Sequence, residues 1–276
     1  MHLFKKIFLP VFIVFCLIAI SFWVWASPRY VVPILMYHNV DYVNRGQANY
    51  VTPENFEKQM AFLNKNNYHV VTLDEVAQSI KQKQKLPPKS LAITFDDGYE
   101  NNYVYAFPVL KKYQFPATIF LISDFIDTKG FLTLVEIQEM IKGGINFGSH
   151  TRRHRYLPRL SSEEIKDEVV ESKRILEEKL SQKINYFAYP SGGFNKEIRD
   201  LIERSGYQGA CTTNRGYVHY NRDIFELRRI SMRDSDTVFV LWAKFSGYYN
   251  LFRKRKPPDK KGYNIANEEG IVVNEQ

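Results

Sequence analysis

Thr94-Phe95-Asp96-Asp97-Gly98 closes an apolar run that begins at Leu91, and the rest of the chain is organised around this stretch. The run from Leu91 to Phe95 predicts a buried strand, which Gly98 ends. Such a strand would deliver two adjacent carboxylates to a turn at its C-terminal edge, where α/β proteins usually carry out chemistry. An Asp-Asp-Gly sequence is most often only a turn, so Asp96 and Asp97 become site candidates through the residues that follow downstream.

Composition indicates an ordinary globular protein with a basic terminus. The chain has 276 residues, 45% of them hydrophobic, and a net charge of +8. Part of that charge lies in residues 253–261, which hold six basic residues and one acidic residue. Such a run is usually a solvated tail. The more specific but less common alternative is that it binds an anionic wall polymer, a membrane or nucleic acid. No helix-turn-helix, zinc-finger or RNA-binding signature is present, so we expect no nucleic-acid partner.

The two cysteines give no covalent framework. Cys16 lies in the N-terminal apolar segment and Cys211 stands alone in the body, which excludes an intradomain disulfide. The fold must therefore be held by its core, either in a reducing compartment or in an exported protein that dispenses with disulfides.

The N-terminus predicts export. Lys5 and Lys6 precede a nearly uncharged apolar run over residues 7–26, which is long enough to cross a bilayer as a helix. The lysines before it predict a cytoplasmic N-terminus and an extracytoplasmic body in a single-pass membrane protein. A secreted protein, released by signal cleavage near Ala26, is the rival. The length of the run and its two terminal tryptophans favour the retained anchor.

Strand and helix patterns alternate along the body of the chain. Thr52 with Pro53, and Ser161 with Glu164, carry the signatures of helix starts. The alternation, repeated about seven or eight times, predicts parallel strands in a barrel-like α/β fold. The strand patterns lie at residues 33–37, 69–72, 91–95, 116–122, 145–148, 185–189, 208–213 and 227–232.

The chain divides into three parts. Residues 1–30 hold the cytoplasmic N-terminus and the anchor helix, residues 31–249 form one domain, and residues 250–276 are predicted to be a basic, disordered tail. The domain ends in a predicted amphipathic helix. Its apolar face is expected to hold Val238, Leu241, Trp242 and Phe245.

Two histidines supply the second half of a candidate metal site. His150 and His154 are four residues apart, the spacing that puts two imidazoles on one face of a helical turn. With one aspartate they offer three ligands to a divalent metal and leave a position open, while the second aspartate is free to act as a base. Such a metal lowers the pKa of a bound water and polarises a carbonyl, as in an amide or ester hydrolase. The alternative is that the two histidines lie on the surface beside arginines and have no role in a site.

These motifs resemble those of a known family. Residues 94–98, followed by His150-Thr151-Arg152-Arg153-His154, look like the first two motifs of the polysaccharide deacetylases (carbohydrate esterase family 4, the NodB-homology domain). The resemblance spans roughly residues 31–235. Ile34-Leu35-Met36-Tyr37-His38 is similar to the start of the poly-N-acetylglucosamine deacetylase branch. The resemblance implies a distorted (β/α) barrel of about seven strands, in agreement with the alternation.

The resemblance also implies roles for the first two motifs. Asp96 would be the general base of the reaction. Asp97, His150 and His154 would bind a divalent metal, zinc or else cobalt, nickel, manganese or iron.

The third motif departs from the family pattern. Tyr189-Pro190-Ser191-Gly192 falls where the family has Arg-x-Pro-Tyr-Gly, a motif that lines the groove. The backbone N–H of Ser191 would still donate to the oxyanion. Ala188 replaces the arginine that orients the base, and Arg228 or Arg229 could replace it from another strand. The implied groove residues are Tyr189, Pro190, Gly192 and Arg229.

The last motif of the family, Leu-x-His, lacks its histidine here. The corresponding residues are Leu227-Arg228-Arg229-Ile230-Ser231-Met232. The family's histidine serves as general acid, so this proton must come from elsewhere. His38 is the first candidate and His219 the second.

The resemblance implies a metal-dependent deacetylase that removes N-acetyl groups from an acetylamino-sugar polymer of the cell envelope and releases acetate. The polymer would be of the poly-N-acetylglucosamine or peptidoglycan type. Two alternatives stay open: a catalytically weak polysaccharide-binding protein, or an enzyme acting on acetylxylan or a lipid-linked sugar. The expected partners are the polysaccharide and, through the N-terminal helix, the membrane; the sequence identifies no protein partner.

Overall fold

The computed structural model describes residues 2–26, 30–42, 49–213 and 223–250. His219 and the predicted tail beyond residue 250 lie outside these residues. The strands are β1 (Ile34–Tyr37), β2 (Asn39–Val40), β3 (Tyr50–Val51), β4 (His69–Val70), β5 (Ser90–Phe95), β6 (Ala117–Leu121), β7 (Ile145–Ser149), β8 (Tyr186–Ala188), β9 (Gly209–Thr212), β10 (Leu227–Arg228) and β11 (Ile230–Ser231). The helices are α1 (His2–Ala26), α2 (Pro53–Lys65), α3 (Leu73–Gln82), α4 (Phe107–Tyr113), α5 (Leu134–Lys142), α6 (Ser162–Lys166), α7 (Ser172–Leu180), α8 (Lys196–Arg204) and α9 (Val238–Phe245).

The strands form a distorted parallel barrel, which confirms the predicted fold. Hydrogen-bonded neighbours follow the order β10-β9-β8-β7-β6-β5-β1-β11, and β4 also pairs with β5. All of these pairs are parallel. Only Arg229 separates β10 from β11, so this short segment pairs with β9 at one end and with β1 at the other. It thereby brings the two ends of the sheet together.

Helices cover the outside of the barrel, and apolar residues fill both faces of its strands. All six residues of β5 are buried, as expected for a parallel strand with both faces covered. The main core lies between strands and helices and includes Leu35, Ile93 and Phe187. A smaller cluster includes the strand residues Ile34, Ala92, Phe120, Ala188, Cys211 and Leu227, from positions that alternate with those of the main core.

The parallel arrangement decides where the site lies. The carboxyl ends of parallel strands meet at one rim of a barrel. His38 follows β1, Asp96 follows β5, His150 follows β7 and Tyr189 follows β8. These four predicted site residues therefore stand at the same rim.

Helix α9 forms where it was predicted, but the prediction of its buried face was partly wrong. Leu241 and Phe245 are buried, whereas Val238 and Trp242 are 68% and 59% exposed. The reason is that Lys244 lies on the buried face instead. Its ammonium donates 2.8 Å to the carbonyl of Ser231 and also pairs with Asp236, which satisfies the buried charge.

Helix α1 contains a candidate membrane span. The segment Phe8–Ala26 has 19 residues and is apolar enough to cross a bilayer, by length and composition alone. The large apolar side chains of this segment from Phe8 to Trp25 are exposed, whereas Ala26 at its end is buried. A signal sequence passes the same test, so the anchor and the cleaved leader both agree with this helix.

Candidate active site

Asp96 is held by a buried arginine at the seam of the barrel. Its two carboxylate oxygens accept from Nη1 and Nη2 of Arg229, each over 2.6 Å. The exposed fractions of Asp96 and Arg229 are only 2% and 1%. Burial opposes ionisation, but Arg229, together with His150 and His38, holds the pKa of Asp96 well below its usual range. Asp96 is therefore ionised and fixed in one orientation.

Arg229 thus occupies the place of the family's base-orienting arginine. The other sequence candidate, Arg228, instead donates to Glu226 over 3.3 Å. Because Arg229 is buried and bonded to Asp96, the structure does not bring it to the cleft as a groove residue. Its place in the chain, two residues after Leu227, is where the family's Leu-x-His motif has its histidine.

Asp97 faces the two histidines. Its φ of +74° lies in the left-handed region, so the chain turns sharply after Asp96. Oδ1 of Asp97 lies 3.5 Å from Nε2 of His150 and 3.5 Å from Nε2 of His154. Burial raises the pKa of Asp97 to about 6, with His38 opposing the shift and Asp96 adding to it.

These three residues fit a divalent metal. The donor atoms of Asp97, His150 and His154 all lie within 4.8 Å of one another. Oδ1 of Asp97 is buried and accepts no hydrogen bond in the described part of the chain. A buried carboxylate oxygen of this kind needs a partner, and a cation between it and two imidazole nitrogens would supply one.

His150 is presented as a neutral ligand. Its Nδ1 lies 2.8 Å from the carbonyl oxygen of Ala188, so Nδ1 carries the hydrogen and Nε2 keeps its lone pair. Burial lowers the pKa of His150 to about 3, although the carboxylate of Asp96 opposes that shift. At neutral pH the imidazole is uncharged and able to bind a metal.

The segment between the histidines is a loop, which corrects the expected helical turn. Thr151 and His154 have φ angles of +68° and +59°, which no α-helix allows. The backbone N–H of His154 donates to Oγ1 of Thr151 over 2.9 Å. The imidazole centroids are still only 4.8 Å apart, because this tight loop folds His154 back towards His150.

A buried glutamate fixes that loop. Oε2 of Glu168 accepts from the backbone N–H groups of Arg152 and Arg153 over 3.0 and 2.8 Å. Oε1 accepts from Nε of Arg153 over 2.9 Å. Glu168 is fully buried and belongs to a π-helical turn, Asp167–Glu171, that joins α6 to α7. The wide turn places its carboxylate under the loop that carries both histidines.

His38 lies beside Asp96. Its Nε2 is 3.9 Å from Oδ2 of Asp96, and its side chain is 16% exposed. The carbonyl of His38 accepts from Nδ2 of Asn102 over 2.8 Å, which fixes the backbone at this point. The structure therefore brings His38 next to Asp96 and leaves its side chain partly exposed.

The third motif forms a tight loop at the same rim. Ser191 has a φ of +52° and Gly192 a φ of +71°, and a Cβ on Gly192 would lie 2.1 Å from Oγ1 of Thr213. The loop begins at Ala188, whose carbonyl holds His150. Its backbone is thus tied directly to His150, one of the three candidate metal ligands.

Tyr189 points away from the cleft. Its ring stacks on Phe194 with centroids 4.5 Å apart, and its hydroxyl donates to the carbonyl of Phe225 over 3.0 Å. Pro190 and Gly192 are also buried. The side chain of Tyr189 is therefore placed to support the loop from below, and Ser191 is the partly exposed member of the motif.

Two site residues were not predicted from the sequence. In the sequence, Glu168 is one of several acidic residues in a predicted helix, and no local pattern distinguishes it from its neighbours. Tyr99 donates a side-chain hydrogen bond to Asp97, and this bond favours the ionised carboxylate. Its position two residues after Asp97 was the available signal.

Comparisons with known proteins agree with this geometry. The sequence model of the polysaccharide deacetylase family matches residues 83–210. YxkH of Bacillus subtilis (strain 168), provisionally named a polysaccharide deacetylase, is 35% identical over 210 residues, or 76% of this chain and 74% of that protein. The poly-beta-1,6-N-acetyl-D-glucosamine N-deacetylase of Staphylococcus epidermidis is 30% identical over 212 residues, or 71% of this chain and 73% of that protein.

A solved structure shows the same fold. The Streptococcus pyogenes deacetylase PplD, in complex with acetate, matches with a TM-score of 0.72 and 29% identity. The match covers 78% of this chain and 98% of that one.

Replacing His154 by alanine should weaken metal binding without unfolding the chain. Loss of a residue that only orients a ligand costs about 10–100-fold in affinity, so loss of a ligand should cost roughly 100-fold or more. Competition for zinc with a chromogenic chelator measures the change. His69→Ala is the matched control, since His69 is exposed at the start of β4. Equal zinc affinity of His154→Ala and wild type would contradict the assignment.

Replacing Glu168 by alanine should destabilise the protein. The change leaves two backbone N–H groups without their acceptor, and an unpaired buried donor costs about 1–3 kcal/mol. Urea unfolding measures the loss. Glu171→Ala is the control from the same π-helical turn, because Glu171 is 39% exposed and forms a surface ion pair with Arg174. If both variants unfold at the same urea concentration, Glu168 does not hold the loop.

Proposed function

The chain belongs to the polysaccharide deacetylase family, and on that premise we propose that it removes N-acetyl groups from an acetylamino-sugar polymer of the cell envelope. The convergence of Asp97, His150 and His154 beside an arginine-held Asp96 is the observation that carries this proposal. Two relatives support the choice of substrate. One is named for deacetylation of poly-beta-1,6-N-acetyl-D-glucosamine, and the other is a deacetylase in complex with acetate.

Asp97, His150 and His154 would hold a divalent metal. Two imidazoles and one carboxylate are a common ligand set of catalytic zinc, so zinc is the proposed ion, with cobalt, nickel, manganese or iron as alternatives. The metal would lower the pKa of a bound water and polarise the acetyl carbonyl.

Asp96 would act as the general base. Its Oδ2 lies 3.9 Å from Nε2 of His38 and 4.0 Å from Nε2 of His150, so it faces the space between them. Arg229 occupies one lone pair on each oxygen and leaves the other on Oδ2 free to accept a proton from the attacking water. Arg229 is a positioning residue in this scheme, since it acts through Asp96.

Ser191 and His38 would complete the hydrolysis. The oxygen of the attacking water bonds to the acetyl carbon, and the N–H of Ser191 donates to the oxyanion that forms. His38 would then give a proton to the sugar nitrogen as the carbon–nitrogen bond breaks. The products are acetate and a free amine on the polymer, and the amine is protonated at neutral pH.

We further propose that α1 retains the enzyme at the outer face of the cell membrane. The support is the apolar segment Phe8–Ala26 and the two lysines that precede it. An extracytoplasmic position would place the domain where envelope polysaccharide is found.

A second candidate function rests on a specific observation. Arg229 stands where the family's acid histidine is expected, and its Nη1 and Nη2 donate to Asp96. If His38 does not replace the lost acid, the chain would bind polysaccharide and turn it over only weakly.

Replacing Asp96 by asparagine should abolish acetate release. The assay uses the zinc-loaded full chain in detergent with N-acetylglucosamine oligomers. We expect a loss of about 100-fold or more, the range typical of general acid–base catalysis. EDTA should stop wild-type activity and added zinc should restore it. Asp200→Asn, which changes a surface carboxylate on α8, is the control and should remain active.

The competing functions predict other outcomes. A wild type that binds zinc and oligomers but releases no acetate would support the binding protein. Release from acetylxylan alone would support the esterase.

Replacing His38 by alanine tests the acid. The variant should lose most of its activity on N-acetylglucosamine oligomers, because an amine leaves only when protonated. It should keep most of its activity on p-nitrophenyl acetate, because nitrophenolate leaves without a proton. His69→Ala is the histidine control. Equal losses on both substrates would show that His38 does not donate the proton, and His219 would be tested next.

A further inference from the structure

The outer face of α9 is an unusual apolar surface. Beyond α1, the large apolar side chains that are exposed in the described residues number eight. Three lie on α9 itself: Val238 is 68% exposed, Phe239 is 76% exposed and Trp242 is 59% exposed. Positions three and four residues apart share one face of a helix, so these side chains form one surface, the α9 patch. Phe239 and Trp242 stack with their ring centroids 6.4 Å apart.

The segment that follows α9 contacts the segment that follows α1. Tyr30 packs edge-on against Tyr248 with ring centroids 5.6 Å apart, and the N–H of Val31 donates to the carbonyl of Gly247 over 3.2 Å. A Cβ on Gly247 would lie 2.3 Å from the ring of Tyr30, so the two segments are in direct contact. Tyr30 and Tyr248 are both 37% exposed, which extends the apolar surface at this contact.

The connection from α1 is short. Residues 27–29 alone separate Ala26 from Tyr30. Four Cα–Cα steps span at most about 14 Å, so the end of α1 must lie within that distance of Tyr30. A bilayer crossed by α1 would therefore lie within reach of the α9 patch.

We infer that the α9 patch docks into the headgroup region of the bilayer that α1 crosses. This inference rests on the proposed membrane anchorage of α1. Tryptophan and phenylalanine are the side chains that favour the interface between lipid and water. The only charged residue of α9, Lys244, is buried against Asp236, so the outer face of the helix carries no charge that would need to be desolvated.

The sequence that follows α9 is positively charged, which is complementary to an anionic lipid surface. Residues 253–261 carry six basic residues and one acidic residue, and they begin eight positions after Phe245. Basic residues beside an interfacial helix are attracted to anionic lipid headgroups. The predicted lipid surface is therefore an anionic one, such as phosphatidylglycerol.

A second copy of the chain fits the α9 patch less well than a lipid surface does. Aromatic side chains bury about 150–250 Å² each, so three side chains of this size give at most about 750 Å². That is less than the roughly 800 Å² per partner of a standard protein interface, and the three are already partly covered.

Lipid quenching of Trp242 tests the inference. The full chain with Trp23→Phe and Trp25→Phe keeps Trp242 as its one tryptophan. It is reconstituted in vesicles of phosphatidylglycerol and phosphatidylcholine, with or without bromine atoms on the upper acyl chains. An interfacial face lies about 5–10 Å into the headgroup and acyl boundary, so bromine should quench Trp242 by about half.

A matched tryptophan provides the control. Val135 lies on α5 and is 74% exposed, so Val135→Trp in the same background with Trp242→Phe reports on an exposed site outside α9. Its emission should not respond to brominated lipid. Unquenched Trp242 would overturn the inference, and so would equal quenching of both tryptophans. Trp242 emission that changes with protein concentration but not with bromine would assign the patch to a second copy.

The readout separates this inference from the proposals on which it rests. Quenching needs no turnover, so a chain that releases no acetate still gives a result. Carbonate washing of the same vesicles tests the anchor: a chain that stays in the membrane with an unquenched Trp242 refutes the docking alone. A chain that washes off refutes the anchor and the docking together. Vesicles of phosphatidylcholine alone should give weaker quenching, and equal quenching would refute the choice of anionic lipid.

Discussion

The buried ion pair between Asp96 and Arg229 is the constraint on which the site depends. Arg229 is the one residue between β10 and β11, where the two ends of the sheet meet, and its guanidinium reaches Asp96 at the end of β5. The residue that joins the two ends of the sheet is therefore also the residue that orients Asp96. Removing either partner would leave an uncompensated charge in the interior, which usually costs more than the pair itself contributes.

The two neighbouring aspartates are separated in function by their surroundings. Arg229 pairs with Asp96 and lowers its pKa, whereas burial raises the pKa of Asp97 to about 6, and one buried oxygen of Asp97 accepts no hydrogen bond from the described residues. The left-handed backbone at Asp97 lets both side chains face one pocket, which a continuing strand would not allow. One turn thus provides a carboxylate that is ionised at neutral pH and a second carboxylate that favours a cation beside it.

Much of the fold and part of the site follow from local sequence. Parallel strands covered on both faces read as apolar runs, and Ser161 with Glu164 forms the predicted capping box. The two histidines could be found by spacing, although their loop is not helical. The partner of Asp96 could not be fixed, because 133 positions separate the two residues and no local pattern records such a pairing. The exposed side of α9 could not be predicted, because the charged residue Lys244 lies in the core, where it pairs with Asp236.

The π-helical turn at Asp167–Glu171 has a consequence for how the chain tolerates changes in length. Such a turn holds one more residue than a regular helical turn, and it lies between apolar residues that must face the same core, Ile165 before it and Leu176 after it. Because the wide turn accommodates that residue locally, deleting it would return the turn to regular α-helical geometry and leave the helices before and after it in phase. The position of Glu168 within the turn would change, and its carboxylate would no longer lie under the histidine loop. The chain would thus keep its apolar face after such a deletion and lose the support of the loop.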